Sequence, residues 1–293
     1  MIWPKNLSKK VKHNVNLAGL TSFKIGGPAR YFFAPADVTE LSQALSCAQK
    51  AGLHIFVLGS GSNILISDQG VQGLVIKLNR QGFKKICHQG SCIIAGSGLK
   101  LSQLVSYAAS QALGGVEFLA GIPGSVGGSV IGNAGAWGYA IGSLVKQLGV
   151  MDGCGRIRVL SAKQLKFGYR QSNLSKYIII WVKLKLFSAD KQTIARQIKK
   201  YLTIRKTAQN YRLPSAGCIF KNPPEDSAGG LIDQCGLKGK VKGRAVICSK
   251  HANFILNTGG ARFRDVLALM DLMRRKVKVK FKVNLEPEIK IWK

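Results

Sequence analysis

Residues 120–138 read AGIPGSVGGSVIGNAGAWG, and this stretch decides how the rest of the chain is interpreted. Seven of its 19 residues are glycine, interspersed with Ile, Val, Ala and Trp. Each glycine costs a helix about 1 kcal/mol relative to alanine, which excludes a helix over most of the stretch. A flexible linker would pair glycine with polar residues instead. Because buried backbone must form hydrogen bonds, the stretch predicts either a surface along which a large ligand lies or a glycine-rich packing loop in a core.

A second glycine loop, Gly59-Ser60-Gly61-Ser62-Asn63, follows the apolar run at 53–58. Backbone N–H groups in such a loop suit a phosphate, and the alternative is an ordinary tight turn. The loop fails the dinucleotide-binding fingerprint, since position 64 is Ile where the third Gly should fall. It also fails the Walker pattern, since no Gly-Lys-Ser/Thr follows. The motifs therefore support neither of the two common nucleotide-binding folds.

Hydrophobic periodicity elsewhere predicts an α+β fold. Asp37 and Glu40 form a capping box before an amphipathic helix that should end at Gly52. Further strands are predicted at 53–58, 73–78, 92–96, 156–160 and 177–186, and further helices at 101–112 and 191–205. The last ninety residues read as a smaller α+β unit, in which 276–283 fits a strand or one face of a helix.

Composition limits the class of protein. The 44 Lys and Arg against 13 Asp and Glu give a net charge of +31, which invites a nucleic-acid partner. That charge is spread over the whole chain, aromatic residues make up only 8%, and no base-stacking motif appears, so we expect no nucleic-acid partner. Seven scattered Cys without a CxxC pair predict free thiols in a reducing compartment, and hence a cytoplasmic location. Four widely separated His give no local metal-ligand spacing, and the longest apolar run, Tyr177–Val182, is too short to cross a membrane.

Three segments carry candidate chemistry. Glu286 and Glu288 flank Pro287, which predicts two carboxylates on the same side of a sheet edge or a strand entry, or else a solvated pair near Lys290 and Lys293. Arg170, in FGYR at 167–170, suits a carboxylate or a developing oxyanion, and a surface arginine is the alternative. Cys218, in SAGCIFKNP at 215–223, is a proton donor near neutral pH or a small buried hydrophobe.

Eight blocks of the chain, taken together and in this order, resemble the UDP-N-acetylenolpyruvoylglucosamine reductases, flavoenzymes of bacterial peptidoglycan synthesis also called UDP-N-acetylmuramate dehydrogenases. The blocks are TSFKIGGPA (21–29), LGSGSNILISD (58–68), VEFLAGIPGSVGGSVIGNAGAWG (116–138), FGYR (167–170), PSAGCIFKNP (214–223), GLIDQCGLKG (230–239), HANFILN (251–257) and LEPEI (285–289). The chain lacks the insertions of the family's longer type after Phe187 and after the FKNP block, so it is similar to the shorter, second type.

The resemblance implies a two-part FAD-binding domain of the vanillyl-alcohol-oxidase type and a smaller α+β substrate domain. The expected divisions are 1–80 and 81–202 for the two FAD-binding subdomains and 203–293 for the substrate domain. FAD is implied as the bound cofactor and NADPH as cosubstrate, and we expect a monomer with neither a membrane nor a metal as partner. The implied role is reduction of UDP-N-acetylglucosamine enolpyruvate to UDP-N-acetylmuramate, and through it a part in cell shape and cell division.

The same resemblance implies roles for individual residues. Arg170 would hold the substrate carboxylate and the developing enolate, and Glu288 would act at the same group. Cys218 stands where the familiar members have the serine that donates a proton, and a thiol still has a proton to donate. Tyr169 and Asn222 would bind substrate, with Asn222 at its diphosphate. The FAD-binding residues would be Gly59, Ser60, Gly61, Ser62, Asn63, Ile122, Pro123, Gly124, Gly128, Ile131, Gly135 and Arg205.

Two other functions compete with this one. The first is oxidation of an alcohol or hydroxy acid by another FAD enzyme of the same fold, against which the AGCIFKNP and LEPE blocks argue. The second is nucleic-acid binding without catalysis, which would require interleaved aromatic and basic residues. A basic cleft has another use, because it would raise the local concentration of anionic substrates.

Overall fold

The computed structural model describes residues 2–208 and 212–293. Contacts between Cα atoms divide the chain into two compact units. The first unit comprises Met1–His13, Tyr31–Ser60 and Gln72–Ile204, and the second comprises Asn14–Arg30, Gly61–Val71 and Arg205–Lys293. The division into two FAD-binding subdomains and a substrate domain, at 80 and 202, stays a prediction.

The α-helices of the described residues are α1 (Lys5–Ser8), α2 (Val38–Lys50), α3 (Leu101–Ser110), α4 (Val126–Ile131), α5 (Lys191–Ala208), α6 (Ala228–Gln234) and α7 (Phe263–Phe281). Short 3-10 turns lie at Ala18–Leu20, Gln81–Phe83, Glu117–Leu119, Ile141–Leu144 and Ala162–Gln164. None of the helices described here is long and apolar enough to span a membrane.

The strands of the first half of the chain are β1 (Lys12–Asn16), β2 (Pro28–Phe33), β3 (His54–Val57), β4 (Ile64–Ile66), β5 (Val71–Ile76), β6 (Ile86–Gln89), β7 (Cys92–Gly96), β8 (Leu113–Gly114), β9 (Gly135–Ala136), β10 (Tyr139–Ala140) and β11 (Val145–Met151). Those of the second half are β12 (Ile157–Ser161), β13 (Phe167–Gly168), β14 (Gln171–Ser172), β15 (Ile178–Lys185), β16 (Phe187–Ser188), β17 (Val241–Lys242), β18 (Ala245–Ile247), β19 (Ile255–Asn257) and β20 (Lys290–Trp292).

The first unit contains an antiparallel sheet in the order β12-β11-β15-β7-β6. Its main core lies against this sheet and is built by α3, α4 and the central strands β7, β11 and β15. A second core in the same unit is built mainly by α2 together with residues of the β2-β5-β3 part of another sheet. In that sheet β3 and β5 are parallel, from the pair His54–Gly73 to the pair Val57–Ile76.

The second unit is centred on helix α7. Its core contains the buried face of α7, helix α6 and the small antiparallel sheet β17-β18-β19. The C-terminal strand β20 runs parallel to β4, pairing Lys290 with Ile64 and Trp292 with Ile66. The ambiguous segment 276–283 is helical as far as Phe281, because Met273 and Val277 are buried in this core at helical spacing.

Candidate active site

The glycine loop at 59–63 begins just after strand β3 ends at Val57. Leu58 N–H donates to Ile76 C=O at 2.8 Å, which holds the start of the loop against β5. A Cβ on Gly59 would lie 2.8 Å from Ser125 Oγ, so the loop approaches the segment that precedes α4. The same hydroxyl accepts the N–H of Gly128 at 3.4 Å and caps the helix. The structure therefore brings Gly59 and Gly128, predicted from separate motifs, to the same serine.

The hydroxyl of a second serine, Ser97, is suited to a polar ligand. Ser97 is buried, and its Oγ has no hydrogen-bond partner among the residues that the structure describes. Gly127 N–H donates to Ser97 C=O at 2.8 Å, so Ser97 lies directly beside α4. A buried hydroxyl without a partner is costly, and a ligand with phosphate or hydroxyl oxygens would satisfy it. Gly59 and Gly128 lie nearby, and their backbone is accessible because they have no side chain. Ser97, Gly59 and Gly128 therefore fit FAD.

The remaining residues of the long glycine stretch lie around α4. Gly124 C=O accepts from Leu101 N–H at 3.0 Å, and Ile122 N–H donates to Leu119 C=O at 3.0 Å. Pro123 is exposed between them. Beyond α4, Gly135 lies in the short hairpin β9-β10, where it pairs with Ala140. The stretch is thus compact and folded, with six helical residues at its centre.

Arg170 lies at the turn of the β13-β14 hairpin, directly after the exposed Tyr169. Its φ of 55° lies in the left-handed region, which is uncommon for a residue other than glycine, and its guanidinium carbon lies 5.4 Å from the Tyr169 ring centroid. Ser172 Oγ donates to Ile131 C=O at 2.7 Å, so the hairpin is attached to the end of α4. The structure thereby connects Arg170 with the predicted FAD-binding residue Ile131.

Asn133 provides a second attachment, which the sequence analysis missed. This buried residue donates from Nδ2 to Gly168 C=O at 2.8 Å and accepts at Oδ1 from Gly142 N–H at 2.9 Å. Its φ of 43° explains why asparagine is suitable there, since asparagine tolerates the left-handed region. The only sequence signal was its position inside the glycine stretch.

An aromatic pair lies at the tip of the β9-β10 hairpin. The rings of Trp137 and Tyr201 stack with centroids 4.2 Å apart and an interplanar angle of 18°. Burial, with smaller effects of Tyr139 and Glu117, raises the pKa of Tyr201, so its hydroxyl stays neutral at physiological pH. Arg205 lies in the last turn of the same helix, α5, and is half-buried.

The other part of the loop, Gly61 to Asn63, belongs to the second unit. Gly61 C=O accepts from Ser22 N–H at 2.9 Å. Asn63 Nδ2 donates to the backbone C=O of Glu288 at 3.3 Å, and Asn63 C=O accepts from Lys290 N–H at 3.1 Å. The structure therefore brings Asn63, predicted to bind FAD, beside the backbone of the predicted catalytic residue Glu288.

Cys218 lies on an extended segment of the second unit, between the segment of Phe254 and the segment of Glu288. On one side it forms an antiparallel bridge with Phe254, and Ile219 N–H donates to Asn253 C=O at 2.9 Å. On the other side Ile219 C=O accepts from Glu288 N–H at 2.8 Å. One residue, Ile219, thus connects the Cys218 segment with the Glu288 segment. Both Cys218 and Glu288 are half-buried.

Two further predicted residues follow on this segment. Asn222 is exposed, and its Oδ1 accepts from Ala228 N–H at 3.1 Å at the start of α6. Lys221 Nζ forms an ion pair with Glu286 Oε1 at 2.6 Å. The sequence analysis placed Glu286 beside Lys290 and Lys293 as its alternative, so it missed this partner, which comes from a distant segment.

His251 is a titratable group of the second unit whose pKa is perturbed. Its ring packs on Phe254 with centroids 4.7 Å apart, and its Nδ1 has no hydrogen-bond partner within residues 2–208 and 212–293. Burial, with a smaller effect of Lys238, lowers the pKa of His251 below its usual value, so the ring is neutral at physiological pH.

Two protein-family models match the chain. The first, "FAD binding domain", matches residues 29–161, and the second, "UDP-N-acetylenolpyruvoylglucosamine reductase, C-terminal domain", matches residues 209–292. The UDP-N-acetylenolpyruvoylglucosamine reductase 2 of Symbiobacterium thermophilum is 43% identical over 93% of this chain and 89% of its own length. The reductase of Desulforamulus reducens is 42% identical over 92% of this chain and 90% of its own length. The chain belongs to the UDP-N-acetylenolpyruvoylglucosamine reductase family.

A solved structure agrees with this family. The crystal structure of the reductase from Thermus caldophilus superposes with a TM-score of 0.84 at 38% identity, covering 97% of this chain and 99% of that one. The resemblance seen in the sequence is thereby confirmed, as are the α+β class and the FAD-binding domain. The chain is a flavin-dependent oxidoreductase of this family.

Proposed function

We propose that this enzyme reduces UDP-N-acetylglucosamine enolpyruvate to UDP-N-acetylmuramate, with FAD as bound cofactor and NADPH as cosubstrate. The observation that carries the proposal is the backbone connection through Ile219, which holds a potential proton donor, Cys218, and a carboxylate, Glu288, on adjacent segments. Membership of the family over nearly the whole chain supports the same reaction.

The chemistry that FAD supplies when bound is hydride transfer, first from NADPH and then to the methylene carbon of the enolpyruvyl group. Hydride addition there leaves negative charge on the carbon beside the carboxylate. The guanidinium of Arg170 binds that carboxylate and stabilises the developing enolate, because its planar donors match two oxygens at once. Tyr169, beside Arg170 in the hairpin turn, contacts the substrate.

Cys218 completes the reaction as general acid. Its Sγ–H donates a proton to the carbon beside the carboxylate, and the thiolate that remains regains a proton from water. Glu288 acts at the same group by holding a proton or a hydrogen bond there. Asn222, exposed before α6, contacts the diphosphate of the substrate.

FAD is held by the two glycine segments and by α5. Gly59, Ser60, Gly61, Ser62 and Asn63 form one part of its site, and Ile122, Pro123, Gly124, Gly128, Ile131 and Gly135 form another, with Arg205 as a cation for a phosphate. The orphaned hydroxyl of Ser97 and its neighbour Gly127 support this placement in the first unit.

We infer the wider setting from the same reaction. The product is used for peptidoglycan, so the enzyme acts in cell shape and cell division. It works in the cytoplasm as a monomer, with residues 1–80 and 81–202 as FAD-binding subdomains and 203–293 as the substrate domain. All seven cysteines lie among the described residues and none of them forms a disulfide, which supports a reducing compartment.

An anaerobic experiment tests the function. The purified protein is reduced with NADPH, and UDP-N-acetylglucosamine enolpyruvate is then added while flavin absorbance is followed. We expect complete reoxidation without oxygen. Reoxidation by simple keto acids or aldehydes, which are the products of hydroxy-acid and alcohol oxidation, and none by the enolpyruvyl substrate, would contradict the proposal in favour of another flavin oxidoreductase.

A cysteine variant tests the proton donor. We expect Cys218→Ala to be reduced by NADPH normally but reoxidised at least about 100-fold more slowly, because general acid catalysis is lost. Cys235→Ala is the matched control, since Cys235 is another half-buried thiol of the second unit. A Cys218→Ala enzyme reoxidised at the control rate would exclude this thiol as the donor.

A further inference from the structure

The backbone of Phe220 has an unusual partner. Phe220 is fully buried, so its N–H and C=O need hydrogen-bond partners inside the protein. On one side it faces Pro287 in an antiparallel bridge, and proline has no N–H to donate. The hydrogen bonds on that side are made instead by the neighbours, Glu288 N–H to Ile219 C=O at 2.8 Å and Lys221 N–H to Glu286 C=O at 2.9 Å.

The side chain of Asn253 satisfies Phe220 on its other side. Phe220 N–H donates to Asn253 Oδ1 at 2.9 Å, and Asn253 Nδ2 donates to Phe220 C=O at 2.8 Å. Asn253 is 1% exposed, so water does not compete for these two bonds. Only a carboxamide side chain offers one acceptor and one donor in this arrangement. The amide therefore substitutes for a neighbouring strand.

Asn253 also uses its backbone on the same segment. Its C=O accepts from Ile219 N–H at 2.9 Å, and the following residue, Phe254, bridges with Cys218. Three hydrogen bonds from one residue thus fix the backbone of Ile219 and Phe220. Ile219 bonds Glu288 directly, and Phe220 lies between Ile219 and Lys221, the two residues that bond the Glu288 segment, so Asn253 sets the position of Cys218 relative to Glu288.

We propose that Asn253 is a positioning residue for proton delivery, whose amide holds the Cys218 and Glu288 segments in register. The inference rests on the proposed function, in which these two residues act at the reacting carbon. A displacement of about 1 Å in a catalytic group costs on the order of 100-fold in rate. Reduction of FAD by NADPH does not use the proton donor, so Asn253 affects one half-reaction and not the other.

The test measures the two half-reactions separately by anaerobic stopped flow. In Asn253→Leu, which keeps the approximate shape and removes both side-chain hydrogen bonds, we expect flavin reduction by NADPH at the wild-type rate. We expect reoxidation by UDP-N-acetylglucosamine enolpyruvate to slow by about 100-fold. The solvent deuterium isotope effect on reoxidation should rise, because transfer from a misplaced thiol limits the rate more strongly.

Asn253→Asp keeps the acceptor for Phe220 N–H and loses the donor, so we expect a smaller selective loss, about tenfold, with the same rise in isotope effect. Asn257→Leu is the matched control. Asn257 is also a buried asparagine of the second unit with three side-chain hydrogen bonds, to Phe23, Gly259 and Ala261. None of these three residues belongs to the Cys218 or Glu288 segments, so its loss should lower stability without separating the half-reactions.

Three results would overturn the inference. The first is reoxidation at the wild-type rate in both Asn253 variants. The second is that both variants lose bound flavin, or are slowed equally in the two half-reactions. The third is the same selective slowing in Asn257→Leu. Failure of the proposed function itself is recognised on the wild type, before any variant is compared. In that case NADPH reduces the wild-type flavin, but the enolpyruvyl substrate does not reoxidise it.

Discussion

The β9-β10 hairpin of the first unit and the Cys218 segment of the second are held in place in different ways. In the hairpin, backbone packs and bonds to backbone: Gly135 pairs with Ala140, and Ile141 N–H donates to Ala134 C=O at 2.9 Å. In the Cys218 segment the fully buried Phe220 bonds to a side chain, the amide of Asn253.

This difference determines what each region tolerates. A region held by closely packed backbone is sensitive to added atoms, because an extra methyl group meets atoms that cannot move independently. A region held by a buried side-chain amide is sensitive to the loss of polar atoms, because the backbone groups it serves are left unsatisfied. The first region should therefore respond most strongly to glycine substitutions and the second to asparagine substitutions.

The largest effect is expected for Gly135→Ala in the first unit. A Cβ at Gly135 would lie 2.2 Å from Tyr139 C=O oxygen and 3.0 Å from Ala140 Cα, so the β9-β10 hairpin must open. We expect a loss of about 3 kcal/mol in the free energy of unfolding and much weaker FAD binding. Chemical denaturation and titration of the apoprotein with FAD, followed by flavin fluorescence, measure the two effects.

Gly132→Ala is the control for this prediction. Gly132 lies three residues earlier, and a Cβ at this position would have Gly128 C=O oxygen as its nearest atom, at 3.6 Å, which is an ordinary contact. We expect no loss of stability and a gain of up to about 0.5 kcal/mol from the stiffer unfolded chain. Equal losses in the two variants would show that the close backbone approach at Gly135 is not what the region depends on.

Local signals explain which elements the sequence predicted. Asp37 accepts the N–H of Glu40 at 2.9 Å and starts helix α2, which ends at Lys50 just before Gly52 with its φ of 63°. Strand β7 has the predicted bounds, 92–96, because alternation and neighbouring turns define it within a few residues. Helix α5 extends three residues beyond the predicted 205.

Tertiary contacts explain what the sequence did not settle. The period of residues 276–283 fitted a strand and a helix equally, and burial of Met273 and Val277 against the second core selects the helix. Helix α4 lies inside a stretch where the glycines argue against a helix, and it forms with a cap from Ser125 and buried neighbours. Packing here outweighs propensity.

In the candidate site, too, local motifs predicted some residues, and tertiary contacts determine others. The glycine loops, Arg170, Cys218 and Glu288 stand in motifs and were singled out from the sequence. Their supports were missed, because Asn133 bonds to Gly168 and Asn253 bonds to Phe220, 35 and 33 residues away. No local pattern reports such a bond, and the HANFILN block gives no role to its first asparagine.

A smaller effect is expected from His251, which tests a packed side chain of the second unit. Its lowered pKa, caused mainly by burial, means that the folded protein binds the imidazole proton less readily than the unfolded chain. Stability should therefore fall as the pH falls through about 6.5, the ordinary value for histidine. Between pH 7.5 and pH 5.5 we expect the Tm of His251→Gln to fall by roughly 2 °C less than the Tm of the wild type. His54→Gln, which replaces an exposed histidine, should follow the wild-type curve.

The smallest effect is expected from Glu286→Gln, which separates side-chain from backbone support of the Cys218 segment. The Glu286 carboxylate is 69% exposed, so its ion pair with Lys221 is largely screened and should contribute about 0.5 kcal/mol or less. The backbone bond from Lys221 N–H to Glu286 C=O remains in the variant. Denaturation midpoints at low and high salt measure the difference, which should vanish at about 1 M salt. Asp233→Asn removes another exposed pair, with Lys238, and should behave alike. A loss several times larger than in Asp233→Asn, persisting at high salt, would mean that the segment depends on this carboxylate as it does on the buried Asn253 amide.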